Sequence, residues 1–270
     1  MITFPNAKIN IGLNITERRP DGYHNLETIF YPIELCDSLE FVESPQIKFN
    51  CSGFTIDGEA QNNLIIKAYN LLKKEFDIPN IDIHLHKSIP MGAGLGGGSA
   101  DAAFMLKMLN EEFNLGLSIT ELQSKAVKLG ADCPFFIENK PVLAKGIGNE
   151  FEPTEISLKN YNIVLIKPEI HVSTAEAYGG CKPRKWEIPL EEAIKQPIEK
   201  WKELIFNDFE KTVFIAHPEL AAIKEMLYEK GAIYAAMSGS GSTIYGIFDR
   251  DIEKNITTKT KSNIYYLTLK

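Results

Sequence analysis

Five glycines fall within seven residues of the run Pro90-Met91-Gly92-Ala93-Gly94-Leu95-Gly96-Gly97-Gly98-Ser99-Ala100. Without side chains, such a run lets backbone N–H groups turn inward around an anion. A helix starting directly behind it adds unpaired donors and the positive end of its dipole. Gly97 in particular is expected to take a positive φ and to leave room for a phosphate. A carboxylate, Asp132, sits in Gly130-Ala131-Asp132-Cys133-Pro134, where a rigid turn would hold it. It reads equally as a proton acceptor or as an Asx-turn onto its own backbone. Lys8 and Asn10 share the polar face of an alternating stretch, Ala7–Ile15. A lysine there is ordinarily a solvated strand residue. Tyr23 and His24 follow the turn 18–22; an aromatic ring can stack on a base and an imidazole can read its edge. The commoner role for such a pair is a ring packed on the rim of a core.

The elements that must position these groups show in the periodicity. Ile81–His86 alternates apolar and polar, which is a strand signature; Ala102, Met105, Leu106 and Leu109 recur at helical spacing. Ser99 stands where a helix N-cap is expected. A flexible linker would lack the apolar anchors Met91 and Leu95. The P-loop ends in Gly-Lys-[Ser/Thr], whereas Gly98 is followed by Ser99 and Ala100. A dinucleotide fingerprint can be forced onto 92–97, but the acidic residue in range, Glu121, fits a helix start with Ser118 better than a strand end.

The chain has 270 residues, 44% of them hydrophobic and 24% charged, ordinary for a globular protein. Its net charge of −7 argues against a nucleic-acid binder, so an anionic ligand needs a local donor cluster. No apolar run approaches the roughly 18 residues needed to span a bilayer. The N-terminus lacks the pattern of a signal peptide. The four cysteines, Cys36, Cys51, Cys133 and Cys181, show no metal spacing and read as reduced thiols of a cytoplasmic protein. The histidines His84, His86, His171 and His217 form no metal-binding pattern, and no side-chain metal ligand is assigned.

Further strands are expected at Leu26–Leu35, Leu39–Val42, Gln46–Asn50, Phe135–Ile137, Val142–Lys145, Ile163–Lys167 and Thr243–Phe248. Helices are expected near Asn62–Phe76, from Ser118 to Gly130, near Leu190–Phe206 and over Pro218–Lys230. Strands and helices do not alternate regularly, which points to α+β with mainly antiparallel sheets rather than a doubly wound fold. The polar stretch 151–160 reads as a junction, giving domains 1–152 and 153–270.

Three segments together resemble the GHMP kinases, the family of galactokinase, homoserine kinase and mevalonate kinase. They are the Lys8 strand, the run Pro90–Ala103 and the late turn Ser238-Gly239-Ser240-Gly241, in the family's order along the chain. The resemblance implies two α+β domains with the active site in the cleft between them. It also implies ATP with Mg²⁺, and Asp132 as catalytic aspartate beside Lys8. A cation there would keep Asp132 ionised and favour the developing alkoxide.

Asn6–Leu13, Arg19–Thr28, Gly130–Phe136 and Asn207–Glu210 narrow the resemblance to members whose substrate is a cytidine diphosphate conjugate of methylerythritol. These phosphorylate its 2-hydroxyl in the non-mevalonate isoprenoid pathway. That branch implies Tyr23, His24 and Tyr178 on the cytosine and Asn10 on the alcohol. It implies Pro90, Met91, Gly92, Ala93, Gly94, Leu95, Gly96, Gly97, Gly98, Ser99 and Ala100 on the phosphates, with Asn63 and Leu64 beside the adenine. The expected state is a monomer or weak homodimer with no nucleic-acid or membrane partner. Alternatives are a homoserine- or mevalonate-type kinase and a silent nucleotide-binding regulator. The first has no cytosine to justify Pro20–His24, and the second has no need of Lys8 and Asp132.

Overall fold

The structure, a computed structural model, describes residues 1–56 and 58–269. Its contacts divide the chain into two compact units, each assembled from separate pieces: Met1–Lys8, Glu34–Met91 and Gly96–Lys140 in the first, and Ile9–Ile33, Gly92–Leu95 and Pro141–Lys270 in the second.

The first unit holds a four-stranded sheet in the spatial order Ile2–Thr3, Ser38–Glu43, Ile81–Lys87, Lys48–Gly53. Its pairs are antiparallel except the last, which is parallel. Along Ile81–Lys87 the residues Ile81, Ile83, Leu85 and Lys87 all face inward. The helix Leu64–Lys73 begins at Asn63, whose side chain accepts the Ile65 N–H at 2.9 Å, and it buries Ile65, Ile66, Ala68, Tyr69 and Leu72. It packs on the helix Gly97–Glu112, which is buried on most sides and includes the expected Ala102, Met105, Leu106 and Leu109. Its N-cap is not Ser99 but Gly96, at φ 71° in the left-handed region. The chain needs that conformation to turn from loop into helix, and glycine adopts it without strain. Ser118 and Glu121 form the expected capping box of the helix Ile119–Ala126. The stretch 135–137, expected as a strand, is instead the short helix Phe135–Glu138, ended by Asn139 at φ 59°.

The second unit holds an antiparallel sheet in the order Tyr234–Met237, Ile244–Phe248, Asn162–Pro168, Ser262–Thr268. The helices Glu210–Ala216 and Pro218–Glu229 pack together, and the second lies on that sheet. Val213, Leu220, Leu227, Val164, Ile166, Ile244 and Phe248 build their shared core. A further sheet runs in the order Asn6–Arg18, His24–Cys36, Val142–Lys145, Glu150–Pro153. The helix expected over 190–206 is broken into Leu190–Ala193, a 3₁₀ turn Ile198–Lys200 and Trp201–Leu204. Pro197 breaks it, since proline has no N–H to donate and crowds the preceding turn. The fold class expected from the sequence, α+β with mainly antiparallel sheets, is the one observed.

Candidate active site

In the first unit, the chain brings Lys8 and Asp132 together. Lys8 Nζ lies 3.5 Å from Asp132 Oδ2, with the lysine side chain only 4% exposed and the aspartate 34%. Lys8 is not the solvated strand residue that a lysine on such a face ordinarily is. The whole strand Asn6–Arg18 is buried along its middle, and Asn10 and Asn14 are as enclosed as Lys8. Burial pulls the Lys8 ammonium below its ordinary value, and the Asp132 carboxylate opposes that shift. Asp132 pairs with this lysine and, among the described residues, makes no Asx-turn onto its own backbone.

Gly96 leaves the space Lys8 occupies. A Cβ there would lie 2.9 Å from the Phe136 ring and 3.2 Å from the Lys8 side chain. Burial pushes the Cys133 thiol up to about 11, and nearby Ser99 opposes that shift. Ser99, in the first turn of Gly97–Glu112, thus lies close to the residue next to Asp132. The Ala100 N–H is the first to reach back along this helix, to Gly96 O at 2.9 Å, so the Gly97, Gly98 and Ser99 amides precede its hydrogen-bond ladder.

Beside the same helix end lies a cavity of about 290 Å³. Phe49, Ile56, Asn63, Leu64, Met91 and Gly98 are among the residues on its walls. It thus gathers Asn63, Leu64, Met91 and Gly98, all expected at the nucleotide. Gly98 is open on this side, the nearest atom to an added Cβ being Leu64 Cδ1 at 4.0 Å. Gly97 differs from its expectation. Its φ is not positive, and a Cβ would meet Lys87 Nζ and Ile89 Cγ2, both at 2.9 Å. It is glycine because a buried lysine packs against it. Ala100 and Pro90 are buried in the same unit.

Gly92, Ala93, Gly94 and Leu95 belong to the second unit. Ala93 and Leu95 are buried anchors, and a side chain on Gly94 would collide with the Ser238 carbonyl. The Ser238 hydroxyl donates to Gly94 O at 2.9 Å and accepts the Asn10 N–H at 3.2 Å. Asn10 Nδ2 is held by Thr28 Oγ1 at 3.0 Å. Asn207 Nδ2 donates to the Met237 and Gly239 carbonyls, both at 2.8 Å, and so braces the Ser238–Gly241 turn.

Also in this unit, the His24 and Tyr178 rings stack with centroids 5.0 Å apart at 23°. Phe209 meets Tyr178 edge-on at 4.7 Å. Tyr23 is 63% exposed, and its N–H is fixed by the Asp21 carboxylate at 3.1 Å. Arg19 holds that same carboxylate through two donors.

With this geometry in view, family models match the chain twice: the GHMP kinases N terminal domain over residues 63–140 and the GHMP kinases C terminal region over 190–263. A 4-diphosphocytidyl-2-C-methyl-D-erythritol kinase of Bacteroides fragilis is 59% identical, with 92% of each chain covered. The chain belongs to the GHMP kinase family. A relative of the same name from Chlorobium limicola is 42% identical, over 90% of this chain and 87% of that one. Among solved structures, a 4-(cytidine 5'-diphospho)-2C-methyl-D-erythritol kinase superposes with a TM-score of 0.78 at 30% identity, covering 92% of this chain and 90% of that one. The mevalonate kinase of Methanococcus jannaschii shares the fold, with a TM-score of 0.75 at 17% identity over 100% and 98% of the two chains.

One group in this GHMP kinase escaped the sequence reading. Lys87, Asp37 and Asp101 form a buried ionic cluster under the Gly-rich run. A signal for it was present: Lys87 continues the inward positions Ile81, Ile83 and Leu85 of an alternating strand. Among the described residues no group of three or more His, Cys, Asp or Glu could hold a metal ion. No helix there is long and apolar enough to cross a membrane.

Proposed function

We propose that the chain transfers the terminal phosphoryl group of ATP to the 2-hydroxyl of 4-diphosphocytidyl-2-C-methyl-D-erythritol, a step of non-mevalonate isoprenoid synthesis. The observation that carries it is the pairing of buried Lys8 with partly exposed Asp132 beside the Gly97–Ser99 amides, in a chain 59% identical to a kinase of that name. Asp132 takes the proton of the attacking hydroxyl, and the Lys8 ammonium stabilises the carboxylate before transfer and the alkoxide as it forms. The Gly97, Gly98 and Ser99 amides face the phosphates. The small cavity beside them suits the nucleoside, between Leu64 and Met91 with Asn63 at its edge. Mg²⁺ enters with the nucleotide, held by phosphates and water, as is usual for this ion.

On the alcohol side, two rings only 5.0 Å apart leave no room for a base between them. Tyr178 therefore fixes the His24 imidazole, and exposed Tyr23 offers the stacking face for cytosine. Asn10, committed to Thr28 through its amide, holds the strand that presents the acceptor alcohol. Residues 1–152 and 153–270 are taken as the functional domains, a division that leaves each family match intact. The chain acts as a monomer or weak dimer in the cytoplasm.

The test is a panel of alcohols with ATP and Mg²⁺, followed by ADP release. The cytidine diphosphate conjugate is expected to be the substrate, and homoserine and mevalonate to be inert. Turnover of either of those, with none of the conjugate, overturns the assignment.

A further inference from the structure

The cluster behind the Gly-rich run is not used by the chemistry above. Lys87 Nζ donates to Asp37 Oδ2 and, at 2.8 Å, to Asp101 Oδ2. Asp37 Oδ1 accepts the Ser88 and Ile89 N–H groups at 2.6 and 2.8 Å. Both oxygens of Asp37 are therefore occupied. Asp101 differs: its Oδ1 is buried without a hydrogen-bond partner. The residue is 3% exposed and lines the same cavity as Asn63, Leu64, Met91 and Gly98. Buried polar atoms are nearly always paired, so an unmatched acceptor on a residue that lines a binding cavity points to a ligand donor.

We propose that Asp101 selects the base of the nucleotide, its Oδ1 accepting a hydrogen bond from the exocyclic amino group of an adenine bound in this cavity. The inference rests on the reading that the cavity takes the nucleoside of ATP. Charge decides which part of the nucleotide comes here. One ammonium faces two carboxylates, so the cluster is neutral or negative and offers phosphate no attraction. The phosphates belong at the backbone amides, and a neutral donor belongs at Asp101. The apolar side chains of Phe49, Ile56, Leu64 and Met91 suit a planar ring. Burial pushes the Asp101 carboxyl up to about 7. A base with a carbonyl at the amino position would set two acceptors against each other.

The experiment compares ATP with ITP, which carries that carbonyl, in wild type and Asp101→Asn. In the variant the Lys87 ammonium keeps the amide oxygen, so the NH₂ turns into the cavity and a donor replaces an acceptor. Wild type is expected to favour ATP by roughly 10–100-fold in kcat/KM, the weight of one hydrogen bond to a charged group. In Asp101→Asn that ratio is expected to fall at least about 10-fold, with ITP gaining in absolute terms. A structural role would lower both nucleotides together, and an unchanged ratio in a folded variant overturns the inference.

If the variant does not fold, calorimetry on wild type decides: equal binding of ATP and ITP overturns it. A preference for ATP over 2'-deoxy-ATP in place of discrimination against ITP would assign Asp101 to the ribose and also overturn it. Failure to phosphorylate the cytidine diphosphate conjugate would instead overturn the activity, while the binding ratio still reports on Asp101.

Discussion

At the residue scale the proposed reaction rests on Asp132, a carboxylate that the buried Lys8 ammonium meets at 3.5 Å. Asp132 is one-third exposed and so reachable by an alcohol, while Lys8 behind it is enclosed. Asp132→Asn keeps the size and polarity of the side chain but cannot take a proton. Its turnover is expected to fall roughly 10²–10⁴-fold, the worth of a positioned general base, with KM for both substrates little changed. Steady-state kinetics on the folded variant checks this, and near-normal turnover would remove the assignment. These residues were legible in the sequence as types at spacings, Lys8 on a polar strand face and Asp132 after a helix stop. The burial of Lys8 was not. Period-two alternation distinguishes two faces of a strand, but it does not say that a second layer covers the polar one. For the same reason the alternation could not show that Asn10 and Asn14 are enclosed.

At the element scale, the helix Gly97–Glu112 carries most of the design. Its first amides precede the hydrogen-bond ladder, Ser99 lies close to Cys133 next to Asp132, and Asp101 reaches Lys87. The strand-to-helix order around the Gly-rich run was legible, because both periodicities are strong there. The cap was not, since Gly96 works by conformation and leaves no side-chain signature. The strand expected at 135–137 failed because a run of three apolar residues has no period to read, and the turn at Pro134 starts a helix as readily as a strand.

The glycines of the run are not equivalent, which makes a discriminating test. Gly98→Val adds bulk on the cavity side, where the nearest atom is 4.0 Å away. KM for ATP is expected to rise by about 10-fold or more, with the melting temperature and KM for the alcohol nearly unchanged. Gly97→Val pushes on Lys87 and Ile89 instead, so it is expected to lower the melting temperature first. Thermal melts beside ATP kinetics separate the two, and the opposite pattern would mean that the phosphates lie elsewhere.

At the scale of the whole chain, the two units interleave in sequence: Gly92–Leu95 belongs to one and the flanking residues of the same run to the other. Periodicity identifies a strand but not its neighbours, so this interleaving could not be read in advance. It bears on ligand binding. Asn63, Leu64, Gly98 and Asp101 lie in the first unit, whereas Tyr23, His24 and Tyr178 lie in the second. If ATP uses the first set and cytosine the second, the ligands are independent in their contacts. CDP is then expected to compete with the alcohol substrate and not with ATP. Tyr23→Ala is expected to cost about 1–3 kcal/mol of CDP binding, the usual worth of a base–aromatic contact, with ATP affinity unchanged. His24→Ala is expected to blur cytosine against uracil, because edge contacts tell those bases apart and stacking does not. Calorimetry with CDP, UDP and ATP in turn measures all three. Competition of CDP with ATP, or normal CDP binding by Tyr23→Ala, would detach the cytidine assignment. Lys8, Asp132 and the amides of Gly97–Ser99 would remain as a phosphoryl-transfer site for another alcohol.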